Sequence, residues 1–336
     1  MNIRNQTKAI LIATVMSFVA FNVADADEAK IKTIGQILFG IDAYQQQHQK
    51  FFEAYAKELG INVRTINGEN SPSVQDKAAR DLVNAGVDAI IIQPAEPLSS
   101  TGTLQAIQNA KIPVLYWGNG EVPHIKAPYV ALDERKQTFQ AGVNAANYMK
   151  EHKPGQPLKL VVLDVPGVAI CTDYRMGEFI HGVKSVDPSA EVVSRVDGGG
   201  VRAKSKQVME DVLNSGVQFN ILTACNGESL LGALSALTAA GRGLAENKVP
   251  VSEYIFSIDG SPAEVQKLVD PKSSVMQVMI LSPYENARHL LDLLIKYHDG
   301  KIKDDYRAGI GGTLIGPSCK EANDLLQKEY QASVKC

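Results

Sequence analysis

Several things are scarce in this sequence, and each shortage removes a class of protein. Four cysteines among 336 residues are too few for a small disulfide scaffold. Net charge is only −3, so there is no basic footprint for nucleic acid. The six histidines, His48, His124, His152, His181, His289 and His298, show no HxH, HxxH or HExxH spacing, which leaves a metal site without support and no cofactor expected. No GxSxG elbow occurs, and Cys171 with a distant histidine is the only trace of a thiol nucleophile. Gly198 to Ser205 reads GGGVRAKS, one residue short of a phosphate-cradling loop. Ala203 replaces the glycine that lets backbone approach phosphate, so these glycines are expected to shape a loop rather than hold a nucleotide. After the first 26 residues no apolar run is long enough to span a bilayer.

What is present is an ordinary folding balance, 45% hydrophobic and 21% charged, with length for two domains. At the amino end, Arg4 and Lys8 precede the apolar run Ala9 to Val23, and Ala24-Asp25-Ala26 supplies small residues for cleavage. That three-part pattern predicts a signal peptide over residues 1–26 and an exported product.

Strand and helix patterns then alternate. Thr33 to Phe39, Asn62 to Asn67, Ala89 to Gln93 and Val114 to Trp117 read as strands, and Ala43 to Leu59, Asp76 to Ala85 and Thr103 to Asn109 as helices. After the helical segment Asp133 to Lys150 the grammar resumes. Leu158 to Asp164, Glu191 to Val196, Asn220 to Ala224 and Tyr254 to Ile258 read as strands, with helices over Asp173 to Val186, Lys204 to Asn214 and Glu228 to Ala240. Such alternation over short connections predicts α/β architecture with two doubly wound, parallel-sheet lobes.

Ligands in open α/β sheets bind beyond the carboxyl ends of the strands. The residues there include Asp42 and Tyr44, Trp117 and Asn119, Arg175, Asn226, and Asp259. Planar carboxylate, amide and guanidinium groups pair with hydroxyls, and aromatic faces cover C–H surface, so the set suits a small hydroxyl-rich ligand. Each residue has a plainer reading. Asp42 is a natural helix N-cap, Asn226 and Asp259 are common turn residues, Arg175 is a solvated helix arginine, and Trp117 is core. Position at strand ends favours the cleft for Arg175 and Trp117.

GVDAIIIQP (Gly86 to Pro94), IPVLYW (Ile112 to Trp117), YRMGEF (Tyr174 to Phe179), ACNGE (Ala224 to Glu228) and SIDGSP (Ser257 to Pro262) follow in order. Through them the chain resembles the periplasmic sugar-binding proteins of the ribose/galactose type, the substrate-binding components of ABC importers. The same core serves the ligand-binding half of the lactose-repressor group, but no helix-turn-helix pattern precedes the first strand. The resemblance implies a non-enzymatic, monomeric protein that takes a monosaccharide or polyol, with Asp42, Tyr44, Arg175, Asn226 and Asp259 at the family's contact positions. It implies three crossings between lobes, near 131–133, 280–282 and 308–312. The N-terminal lobe then comprises 27–131 plus 282–308, and the C-terminal lobe 132–281 plus 309–336. The expected partner is a membrane ABC permease; a sensor kinase or chemoreceptor receiving the closed form is the alternative. The chain departs from the family at Gly118-Asn119, where Asp-Arg is common, and at Ile280 or Leu281, where a glutamine is common.

Four cysteines allow three pairings. In an exported chain Cys319 with Cys336 ties down the carboxyl end. Cys171 with Cys225 braces the loops carrying Arg175 and Asn226, unless both remain small buried thiols.

Overall fold

The computed structural model describes residues 31–336; the expected signal peptide lies outside the described residues. The first lobe runs β1 (Thr33–Leu38), α1 (Ala43–Glu58), β2 (Asn62–Asn67), α2 (Pro72–Asn84), β3 (Ala89–Ile92), α3 (Thr101–Asn109), β4 (Val114–Gly118) and β5 (Tyr129–Leu132). The second runs α4 (Arg135–His152), β6 (Lys159–Asp164), a π-helical turn over Ile170–Gly177, α5 (Glu178–Val186), β7 (Glu191–Asp197), α6 (Arg202–Asn214), β8 (Ile221–Ala224) and α7 (Gly227–Ala239). It continues through a short hairpin of β9 (Ala245–Glu246) and β10 (Val249–Pro250), then β11 (Tyr254–Asp259), α8 (Pro262–Val269) and β12 (Val275–Leu281). The chain closes with α9 (Pro283–His298), β13 (Arg307–Ile310), β14 (Gly312–Ile315) and α10 (Cys319–Tyr330).

Two six-stranded sheets result, ordered β13-β5-β4-β3-β1-β2 and β14-β12-β11-β8-β6-β7. Within these two sheets every ladder is parallel except β12 with β14. Strands such as β3, AIII, are buried at every position, as parallel strands covered on both faces must be. Helices α4 and α5 cross at backbone distance. A Cβ on Gly142 would lie 2.1 Å from the Phe179 carbonyl oxygen, and one on Gly182 would lie 2.0 Å from that of Phe139.

Elements begin where local chemistry starts them. Ser71 caps α2 with Pro72 in its first turn, so that helix starts before the expected Asp76. The turn at 170–177 precedes α5 and moves that segment's start ahead of Asp173. The sequence pattern stops at Ile258; β12, α9, β13, β14 and α10 follow it.

The chain passes between sheets three times: after β5, between β12 and α9, which packs on α1, and at Gly311 between β13 and β14. Leu132 therefore belongs to the first sheet, as do Gly309 and Ile310. Both boundaries lie slightly beyond 131 and 308 because strand pairing, invisible in local pattern, carries these residues.

Candidate functional site

The strands bordering the cleft end toward one small cavity of about 80 Å³, partly open to solvent. Its walls come from both lobes. Phe39, Asp42, Tyr44, Gln45, Asn70, Gln93, Asn119 and Leu132 face Val165, Val168, Ile170, Cys171, Arg175, Gly199, Gly200, Cys225, Asn226, Asp259 and Leu281.

Asp42 and Asn226 occupy equivalent places on opposite walls. Each caps a helix: Asp42 Oδ1 accepts from the Gln45 backbone N–H at 2.7 Å, and Asn226 Oδ1 from Ser229 N–H at 2.9 Å. The capping role and the cleft position thus coincide, since capping holds each side chain at a strand's end. Asn226 Nδ2 also donates to the Gly200 carbonyl at 3.0 Å, tying in the glycine loop. There Lys204 is bonded to Asp197, so this stretch forms cavity wall.

Asp259 stands at φ +99°, a backbone state unusual for a residue with a side chain. Its Oδ2 accepts from Gly227 N–H at 3.0 Å, and Tyr330 Oη donates to its carbonyl at 3.3 Å. Burial pushes the Asp259 carboxyl well above the usual range, against the pull of Arg175. Burial likewise raises Asp42, with its bond from Gln45 opposing and Glu228 adding repulsion. Tyr44 lies in the wall with its hydroxyl accepting from Asn286 Nδ2 of α9 at 2.9 Å.

Arg175 reaches the cavity, but its fork is already engaged. Nε and Nη2 donate to the two oxygens of Glu134 at 2.5 and 2.9 Å, and Nη1 donates to the Cys225 carbonyl at 2.8 Å. Asp259 Oδ1 lies 3.6 Å from Nη1. Of the five N–H groups of a guanidinium, two are left for a ligand. The clamp is therefore one edge of the guanidinium rather than the whole fork. Burial acts to lower the Arg175 pKa, and Glu134 outweighs it, leaving the group more firmly charged than usual.

Trp117 is displaced from its expected role. It is 2% exposed, packs in the core, and stacks on His48 of α1 at 4.9 Å between ring centroids. Burial depresses His48 to about 3, so this stack is between neutral rings. Trp117 lies within β4, buried along its whole length, whereas Asn119 follows the strand's end beyond Gly118 at φ +89° and comes to the cavity.

Sequence reasoning missed Glu134, Gln45, Gln93 and Asn70. Gln45 Nε2 donates to Gln93 Oε1 at 2.6 Å, Gln93 Nε2 to Asn119 Oδ1 at 3.2 Å, and Asn119 Nδ2 to the Pro94 carbonyl at 2.9 Å. This relay of amides lines the first lobe's wall. Gln93 directly follows β3 and was legible as a strand end. Glu134 follows β5, a four-residue strand with no strong local signal.

The structure joins Cys171 to Cys225, Cα–Cα 5.0 Å, and Cys319 to Cys336, Cα–Cα 6.0 Å. The first pair lies in the cavity wall. Among the described residues no group of His, Cys, Asp and Glu is placed to hold a metal ion, and no helix is long and apolar enough to cross a membrane.

Two doubly wound lobes, three chain crossings and a ligand cavity between the lobes define the type I periplasmic binding protein fold. The chain belongs to the periplasmic binding protein family, whose domain matches residues 38–302. It is similar to the galactofuranose-binding protein YtfQ of Escherichia coli K12, 26% identical over 254 residues, 74% of this chain and 76% of that protein. It is also similar to the ribose import binding protein RbsB of Bacillus subtilis 168, 26% identical over 227 residues, 67% of this chain and 68% of that one. A Mycobacterium smegmatis protein solved in complex with β-D-fucofuranose shares the fold, with TM-score 0.75 at 22% identity over 88% of this chain and 94% of that one.

Proposed function

We propose that the protein captures a small hydroxylated ligand, a monosaccharide or polyol, between its lobes and delivers it to a membrane ABC importer. The observation that carries this is the cavity wall itself. Asp42 stands on one side, Arg175, Asn226 and Asp259 on the other, and Phe39, Leu132, Val168 and Leu281 supply apolar surface. Two relatives named for binding galactofuranose and ribose support the ligand class. Among the described residues no serine, threonine, histidine or lysine lines the cavity, and both cysteines there are bonded to each other. A binding role without a covalent step accounts for that wall.

Ligand touching both lobes favours the closed arrangement because only there are both sets of contacts made. The test is a thermal-shift screen of residues 27–336 against sugars, polyols and their simple derivatives. A ligand at 100 times its Kd adds about 2.7 kcal/mol of stability; no stabilisation by any compound overturns the reading. With a ligand in hand, Asp42→Ala and Asp259→Ala are each expected to weaken both affinity and ligand-induced compaction in small-angle scattering. Full compaction in either variant rules out bridging between lobes.

A further inference from the structure

We propose that the hydroxylated ligand of this cleft carries a protonated amine, making the substrate class an amino sugar or amino polyol; this rests on the sugar-site reading above. The charged side chains lining the cavity are Asp42, Arg175 and Asp259. The single guanidinium is held by the Glu134 carboxylate through two hydrogen bonds and spends a third on the Cys225 carbonyl. Asp259 Oδ1 has only a 3.6 Å approach to the same guanidinium. One cation therefore faces three carboxylates. The basic residues at the rim are already paired, Arg202 with Glu228 and Lys204 with Asp197.

A second, independent observation points the same way. Gln45 lines the cavity at 3% exposure. Its Nε2 is used by Gln93, while its Oε1 has no hydrogen-bond partner in the protein. A buried acceptor without a donor is costly, so this oxygen asks for a donor from the ligand. A hydroxyl brings one donor and two lone pairs, whereas an ammonium brings three donors and no acceptor. Excess carboxylate with an unpartnered amide oxygen matches the ammonium.

The placement also suits closure. Asp42 belongs to the first lobe and Asp259 to the second, and both line the one cavity; repulsion from Asp42 adds to the upward shift of Asp259, after burial and Glu264. A cation lodged near both converts that repulsion into attraction and gives the closed state the differential affinity it needs.

The test is calorimetry on the folded chain at pH 7 in 0.1 M salt with matched pairs: D-galactosamine and D-galactose, D-glucosamine and D-glucose, 1-amino-1-deoxy-D-glucitol and D-glucitol, and an amino-deoxy-inositol with myo-inositol. In the best-binding pair the amine is expected to bind at least tenfold tighter than its neutral parent. That ratio is expected to fall at least threefold in Asp42→Asn or Asp259→Asn, and the N-acetyl derivative of the same amine is expected to lose the advantage. Neutral parents binding as well or better in every pair overturn this inference and leave the sugar site standing. A preference unchanged in both asparagine variants overturns the assignment to these carboxylates. No binding by either member of any pair overturns both readings.

Discussion

Replacing Arg175 by alanine removes one side chain and strands another. Glu134 is fully buried in the hinge after β5, its side chain 0% exposed against 6% for Arg175, and its oxygens accept from Arg175 Nε and Nη2. Removing one partner of such a pair leaves an uncompensated buried charge and costs about 3–5 kcal/mol, well above the cost of an ordinary substitution. Glu134→Gln keeps the volume and an acceptor, and Arg175 retains Asp259 at 3.6 Å, so a smaller loss is expected. Arg175→Lys is expected to fall between, because a point charge cannot reproduce a two-bond fork. Urea unfolding of the ligand-free protein, followed by circular dichroism, ranks the three. Binding by Arg175→Ala is expected to drop by a further 2–4 kcal/mol, on the order seen for buried charged partners, since Arg175 lines the cavity with two N–H groups not used within the protein. An Arg175→Ala protein within about 1 kcal/mol of its parent would falsify the view that this pair organises the hinge. A loss of affinity under threefold would remove Arg175 from the ligand site.

Two further outcomes are expected. In the chain-entropy picture, closing the 54-residue separation of Cys171 and Cys225 contributes about 4 kcal/mol and the 17-residue one of Cys319 and Cys336 about 3. Non-reducing peptide mapping should recover both pairs, and either cysteine of a pair alkylating without reductant counts against that pair. Glu264 is held by Ser257 and Ser261, and burial raises its carboxyl to about 7. The folded state therefore binds a proton that the unfolded chain releases near 4.5, so this group's stabilisation is complete below that pH and is lost as pH rises toward 7. Glu264→Gln should flatten the fall in stability between pH 4.5 and 7, and an unchanged slope in denaturant titrations across that window would show that the group does not titrate there.

Much of the site was legible because strand ends are legible. Runs such as AIII at 89–92 are buried on both faces and announce themselves as uninterrupted apolar sequence. A ligand site at the carboxyl edge follows from the fold class. Asp42, Asn226 and Asp259 were reachable in that way, and for Asp42 and Asn226 the capping chemistry that ends the loop also aims the side chain. Glu134 was hidden because β5 is short and its pairing with β4 and β13 is nonlocal. No pattern in four residues shows that a strand will be completed by residues 307–310.

The sequence by itself therefore determined the alternation of strands and helices, the lobes that follow from it, and the polar residue types gathered at their strand ends. Only the tertiary structure decided who partners whom. It turned Trp117 onto His48 in the core, gave most of the Arg175 fork to Glu134, left Gln45 Oε1 unpartnered, and carried residues 307–310 back to the first sheet. The physical reason is range. Periodicity, capping and turn propensity act over a few residues, whereas the direction of a side chain at a strand's end and the partner of a buried charge depend on surfaces brought together from distant parts of the chain.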